Sequence, residues 1–421
     1  MRVMILSADY PRFLRDLYVS NPGLSEKSYA VQMEARNNSL FGVADFYSRN
    51  FRAHGHEAEE FHINNCWLQH AWARENGLDI LPLEPAPQPM DETPAPSRLT
   101  HLSERVRSAV QPLKPILKPV LGLVARAARR VRSAPSASAP GFYPKSRTDW
   151  EHAVLREQIR RYKPDLILNQ ELAYLPSSFF RTARIPGMLL VGQIASSMPE
   201  HDSFESYDLM ISSLPNQVEW FRRRGLRAEL NRLGFEPSVL EKLGPAPARD
   251  IEVSFVGSLS ADHGKRIEFL EHVARRAPLK VWGSGIERLP RSSPLHDCYQ
   301  GEAWGRDMYE VMRRSRITLN FHIDLADGWA NNLRLYEATG VGTLLLTDWK
   351  KNLHEMFVPG EEVVTYRDAN DCVAQIHALL ADEATRRRIA AAGQQRAIQH
   401  QNYYRQVGEI IALAEKLRSS A

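Results

Sequence analysis

Asn331-Asn332-Leu333-Arg334-Leu335-Tyr336-Glu337-Ala338-Thr339-Gly340-Val341-Gly342-Thr343-Leu344-Leu345-Leu346-Thr347-Asp348 is the stretch that decides the fold class. Asn332 opens a short helix, Gly340 and Gly342 close it, and the apolar run that follows is continuous rather than alternating, as a strand buried on both faces requires. Outward from it, short apolar runs recur at 251–256, 279–282, 317–322 and 362–366, separated by helical spacing. The same alternation fills the first half, with runs at 3–8, 57–63, 165–169, 187–194 and 208–212 and a helical pattern over 39–53. Strands that alternate with helices form parallel, doubly wound sheets. Glycines and prolines between 233 and 247 mark a linker, so two α/β domains, 1–240 and 241–385, are expected to face each other across a cleft, with closing helices over 386–421.

Composition narrows the function. The chain has 421 residues and a formal net charge of +4, too small for a surface coated in nucleic acid, and its three cysteines stand apart with no CxxC pair. A reducing, cytoplasmic setting is expected. The first residues open on a strand-like run rather than a secretory leader, and no apolar stretch is long enough to span a membrane. Residues 82–148 are different in kind: 12 of the 26 prolines lie between Pro82 and Pro144, and within the segment 98–133 the stretch from Glu104 to Arg132 interleaves eight arginines and lysines with Val, Leu and Ile. Such a segment either lies on an anionic membrane surface or packs back on the N-terminal domain.

In open α/β sheets ligands meet the carboxyl ends of strands. The run 253–256 leads through Gly257, Ser258 and further small residues to Lys265 and Arg266 at the start of a helix, where amides and two cations suit a diphosphate; an ordinary turn has the same appearance. Free amides after Asn332 could likewise hold phosphate, and Glu337, one to two turns along, could accept hydrogen bonds from ribose hydroxyls. Gly283 lies in a loop open to close backbone contact. Among acids and bases at the ends of N-terminal strands, Asp9, Glu171 and His201 are candidate general bases, each equally readable as a cap or surface group. No DxD pair or histidine cluster points to a metal.

Together, Phe255-Val256-Gly257-Ser258, Ser315-Arg316-Ile317-Thr318-Leu319-Asn320, Arg334-Leu335-Tyr336-Glu337-Ala338, Leu345-Leu346-Thr347-Asp348 and Phe357-Val358-Pro359-Gly360-Glu361-Glu362 resemble the C-terminal half of GT-B-fold glycosyltransferases, the spore-maturation-type branch of glycosyl transferase group 1, over residues 250–405. The resemblance implies two Rossmann-like domains and transfer of a sugar from a nucleotide-diphosphate donor (UDP-, GDP- or dTDP-linked) to a polysaccharide, lipid-linked or other glycoconjugate acceptor, without metal or resident cofactor. It implies that Glu337 holds the ribose, that Lys265 or Arg266 meets the pyrophosphate with Asn332 and Arg334 nearby, and that Tyr299 and Gly301, with Trp304, frame the base. The family's first motif acid falls at Trp329, which leaves retaining and inverting chemistry both open. On this reading the protein works at the inner face of the cell membrane, through 98–133. A nucleotide-sugar epimerase of the same fold and a non-catalytic scaffold with a degenerate nucleotide site are the competing readings.

Overall fold

The computed structural model describes residues 1–80, 147–199, 202–259, 264–322 and 328–419. The basic segment 98–133, His201, Asp324 and Asp327 lie outside the described residues.

Two parallel sheets carry the architecture. The first holds β1 (Arg2–Ser7), β2 (Glu57–His62), β3 (Leu166–Asn169), β4 (Leu189–Gln193), β5 (Leu209–Ser212) and β6 (Ala228–Leu230), in the order β2-β1-β3-β4-β5-β6. The second holds β7 (Ile251–Val256), β8 (Leu279–Trp282), β9 (Ser315–Asn320), β10 (Leu344–Asp348) and β11 (Val364–Tyr366), in the order β11-β10-β9-β7-β8. Central strands are apolar on both faces because helices cover both: Val3, Met4, Ile5 and Leu6 in β1 and Leu344, Leu345 and Leu346 in β10 are all fully buried. In each sheet the order reverses beside the first strand, between β1 and β3 and between β7 and β9, the place at whose carboxyl ends open α/β sheets bind ligands.

The helical pattern expected over 39–53 is realised only as Phe46–Ala53. Leu40 and Ala44 adopt positive φ, which breaks the helix, and the Ser39 carbonyl accepts from the Arg306 amide of the other domain at 2.7 Å. The short edge strand β6 has no counterpart among the expected runs. The handover between sheets falls between 230 and 251, and position 240 itself lies in the helix Ser238–Leu243.

The tail forms two helices, Glu383–Gln399 and Tyr403–Ser419. The first covers the C-terminal domain, whereas the second crosses back: Tyr403 packs against Phe46 and Tyr47 with ring centroids 5.4 and 5.2 Å away, and Arg418 pairs with Asp165 at 3.5 Å. Phe235, in the linker, exchanges backbone hydrogen bonds with Gln401 and Tyr403. Its ring lies where a Cβ on Gly340 would come within 2.3 Å, so that glycine admits the crossing chain rather than merely ending a helix. Linker and tail thus hold the two domains at a set angle.

Candidate active site

Both carboxyl edges converge on one cleft. The Tyr10 hydroxyl, following β1, feels the charge of Glu171 after β3 and of Arg334 from the opposite domain, and the residue is 64% exposed. Phe41 bridges the domains edge-on to Tyr10 and to Trp304, each at 5.6 Å. Arg12 reaches across to Glu287 and Glu302, and the Ser213 hydroxyl donates to Asn331 just ahead of the motif helix.

On the C-terminal side the helix is Leu333–Gly340. Asn332 caps it: its side-chain oxygen accepts from the Leu335 amide at 3.3 Å, and its amide nitrogen donates to Asn320 at the end of β9 at 2.7 Å. Arg334 donates through Nε to the Val256 carbonyl at 3.1 Å and through Nη1 to Glu337. Glu337 is only 5% exposed; burial pushes its carboxyl above the usual range while Arg334 holds it down. Asn332, Arg334 and Glu337 therefore act together with the end of β7, at the point where strand order reverses.

Beside them three loops are zipped into one shelf. Gly257 donates to Trp282, Leu259 to Ser284, Gly283 to Gly301, and the Tyr299 hydroxyl to the Gly283 carbonyl at 2.9 Å. Gly283 has φ +149°, and a Cβ there would lie 1.8 Å from the Gly257 oxygen. The glycine expected to admit a ligand thus has a first duty to its neighbouring loop. Ser258 takes part through its carbonyl, which accepts from Arg266 at 3.3 Å. Arg266, 8% exposed, also donates to the Phe321 carbonyl at 3.3 Å and so clamps β7 to β9, while Lys265 stands on the surface. Trp304 packs nearly perpendicular to Phe41 in the interdomain aromatic cluster, with its Nε1 donating to Glu302. Trp329, in place of the motif acid, lies under the Lys351 ammonium at 3.7 Å.

On the N-terminal side Asp9 is wholly buried. Its Oδ1 accepts from Arg36 Nη2 at 2.6 Å, its Oδ2 lies 3.2 Å from His62 Nδ1, and Arg36 with His62 holds the carboxyl far below the ordinary carboxylate range despite desolvation. Asn64 closes the turn by exchanging two hydrogen bonds with the Asp9 backbone. Glu171 is different: half-buried, its carboxyl is pushed up to about 7 by desolvation and the nearby Asp9 charge, against the amide of Ala8 that lowers it. Two acids one strand apart are thereby driven in opposite directions, a permanent anion and a group that titrates near neutrality.

Arg36, His62 and Tyr10 escape a reading of the sequence because no local pattern links positions 9, 36 and 62. So does the His322–Asp348 pair at 2.6 Å, with Lys350 on the other carboxylate oxygen at 3.0 Å. Its only sequence signal is the polar end of two apolar strands. Among the described residues no group of three or more His, Cys, Asp or Glu is placed to hold a metal.

Residues 265–412 match the family model described as glycosyl transferase-like. Among solved structures, AviGT4, a glycosyltransferase involved in avilamycin A biosynthesis, is 13% identical with a TM-score of 0.53, covering 100% of this chain and 99% of its own. Anabaena Alr3699/HepE, solved in complex with UDP, is 12% identical with a TM-score of 0.52 over 99% of this chain and 100% of its own. A glycosyltransferase from Rickettsia africae ESF-5 is 9% identical with a TM-score of 0.52 over 100% and 99%. No curated protein matches the sequence. At these identities the structural likeness establishes the fold, and the family match falls on the domain that carries the Arg334–Glu337 pair. The chain accordingly has the GT-B fold of these glycosyltransferases, and its residues 265–412 match the glycosyl transferase-like family.

Proposed function

We propose that the protein transfers a glycosyl group from a nucleoside-diphosphate sugar, bound on the C-terminal domain, to a hydroxyl of a polysaccharide or lipid-linked acceptor presented by the N-terminal domain. The observation that carries this is the buried Glu337, paired with Arg334 against the Val256 carbonyl at the reversal point of the second sheet. A carboxylate there accepts from the two ribose hydroxyls, and the amides opening the helix Leu333–Gly340, with Lys265 at the surface, face the diphosphate. Charge that develops on the departing diphosphate is met by dipoles already in place, so the chemistry needs no metal. UDP is the nucleotide we propose first, because the similar fold of HepE holds it.

Glu171 is the group we assign to accept the acceptor proton, since a carboxyl that titrates near 7 is matched to that task at neutral pH. Asp9 acts on it through charge, its own oxygens facing Arg36 and His62; His201 lies outside the described residues and is not needed for this assignment. An inverting enzyme loses kcat on Glu171→Gln, whereas a retaining one keeps it, and the anomeric configuration of the product, read by NMR, must agree.

Thermal unfolding against UDP, GDP, dTDP, ADP and CMP tests the donor site. One nucleotide raises Tm by mass action in the native protein and fails to do so in Glu337→Ala; no shift with any of the five refutes the reading and favours a scaffold. Among the described residues no helix is long and apolar enough to cross a membrane. We place the protein in the cytoplasm at the inner leaflet through the basic segment 98–133. Deletion of that segment abolishes sedimentation with anionic liposomes; unchanged binding rejects the placement.

A further inference from the structure

Towards the β11 edge of the second sheet, at the ends of β9, β10 and β11, a cavity of about 470 Å³ opens to solvent, whereas the shelf of Gly257, Gly283 and Gly301 lies at β7 and β8. Its size is that of a small-molecule site. The floor is aromatic: Phe269 and Tyr366 stack at 5.0 Å and 16°, and Phe321 leans on Phe269 at 5.0 Å. Trp349 stands at the rim with 54% of its surface exposed, its backbone anchored by a 2.8 Å hydrogen bond from its amide to the Tyr366 carbonyl. An indole held half in water beside an aromatic floor is an apolar surface left for something to cover.

Two carboxylates, Asp348 and Asp368, and two cations, Lys350 and Arg367, line the cavity, and they differ in what they are bonded to. Asp348 accepts from His322 Nδ1 at 2.6 Å and pairs with Lys350 at 3.0 Å, and these partners hold its carboxyl below the usual range against desolvation. Asp368 caps the helix Ala369–Ala381, accepting from the amides of Asn370 and Asp371. Both carboxylates therefore have partners within the fold. The exposed Arg367 guanidinium has none among the described residues. Aromatic faces beside a planar cation that makes no ion pair with a described residue match a ligand that offers apolar C–H groups on one side and an anion on another.

We infer that this cavity binds an anionic sugar unit, a pyranose bearing a carboxylate or phosphate, with its ring against Trp349 and the aromatic floor and its anion on Arg367, separately from the nucleotide. The chemistry is that of a charged residue in a glycan chain or of a sugar phosphate, and the proposed donor site is not required for it.

Saturation-transfer NMR titrations of the full chain with glucuronic acid, glucose 6-phosphate and glucose test the assignment. At least one anionic sugar binds, and glucose binds about tenfold more weakly, the scale of one charge-assisted contact. Preference for the carboxylate or for the phosphate supports the site and names the anion. Arg367→Ala removes the preference without weakening glucose, and Trp349→Ala weakens all three; both side chains are exposed, and an unchanged Tm verifies the fold. Saturating UDP leaves the affinity for the anionic sugar unchanged. Absence of binding, equal affinity for glucose, insensitivity to either variant or displacement by UDP overturns the proposal. Failure of UDP to bind at all tells against the donor site and not against this cavity.

Discussion

Replacing Glu171 by glutamine converts the acid-base character of the cleft into a stability measurement. The carboxyl titrates at about 7 in the fold against 4.5 for the free side chain, because partial burial and the fixed charge on Asp9 both disfavour its anion. That difference corresponds to about 3 kcal/mol between protonation states. The sign follows from proton uptake: between the two values the folded state binds more protons than the unfolded one, so stability falls as pH rises from 4.5 towards 7. The penalty is absent below the unfolded value and complete above the folded one. The glutamine side chain is isosteric, can accept from the same Ala8 amide and carries no charge, so the Glu171→Gln variant escapes the penalty. Urea unfolding of both proteins, near the free-side-chain value of 4.5 and at about pH 8, reads it out. The variant's stability relative to the native chain should rise by about 2–3 kcal/mol between those conditions. A difference that does not change with pH refutes the argument, since Glu171 would then be as solvated in the fold as outside it.

Two other perturbations address the frame around the cleft. Gly283→Ala places a methyl 1.8 Å from the Gly257 oxygen at a φ that L-residues avoid, and should cost about 2 kcal/mol or more in chemical unfolding while weakening nucleotide binding through the displaced shelf. Arg36→Met leaves the wholly buried Asp9 carboxylate without its guanidinium, and about 3–5 kcal/mol of stability should be lost near neutral pH. Because Arg36 and His62 depress the Asp9 pKa, the native pair stabilises above the unfolded value and that contribution disappears as pH falls; the cost of Arg36→Met must therefore shrink in acid, and Asp9→Asn in the same chain should recover part of it.

Where sequence and structure part company, the cause is contact between positions far apart in the chain. The apolar run of β10 announces itself because burial on both faces leaves no polar position, and the helix before it announces itself through Asn332, which caps it in the structure as its place in the sequence suggests. The expected helix over 39–53 loses its first turns, where Leu40 and Ala44 take positive φ and the Ser39 carbonyl accepts from Arg306 of the other domain, a partner that no window along the chain contains. Gly283 stands out in the sequence for the right property, its missing side chain, yet the space it leaves is taken by Gly257. Lys265 and Arg266 are adjacent in sequence and read alike, but helix geometry turns one to solvent and buries the other against the carbonyls of Ser258 and Phe321.

Local pattern is enough for the class of fold, two doubly wound α/β domains, and for placing Asn332, Arg334 and Glu337 at the helix before β10, because strands buried on both faces read as continuous apolar runs and the helices between them as a period near 3.6. Which of those residues act together is a matter of long-range contact. Arg334 meets Glu337 within one helix, but its second bond, to Val256, spans 78 positions, and Asp9 acquires its partners from positions 36 and 62. Charge states follow the same rule. Nothing in their local sequence separates Asp9 from Glu171, and desolvation and neighbouring charge, which exist only once the chain has folded, make one a permanent anion and the other a group poised near neutrality.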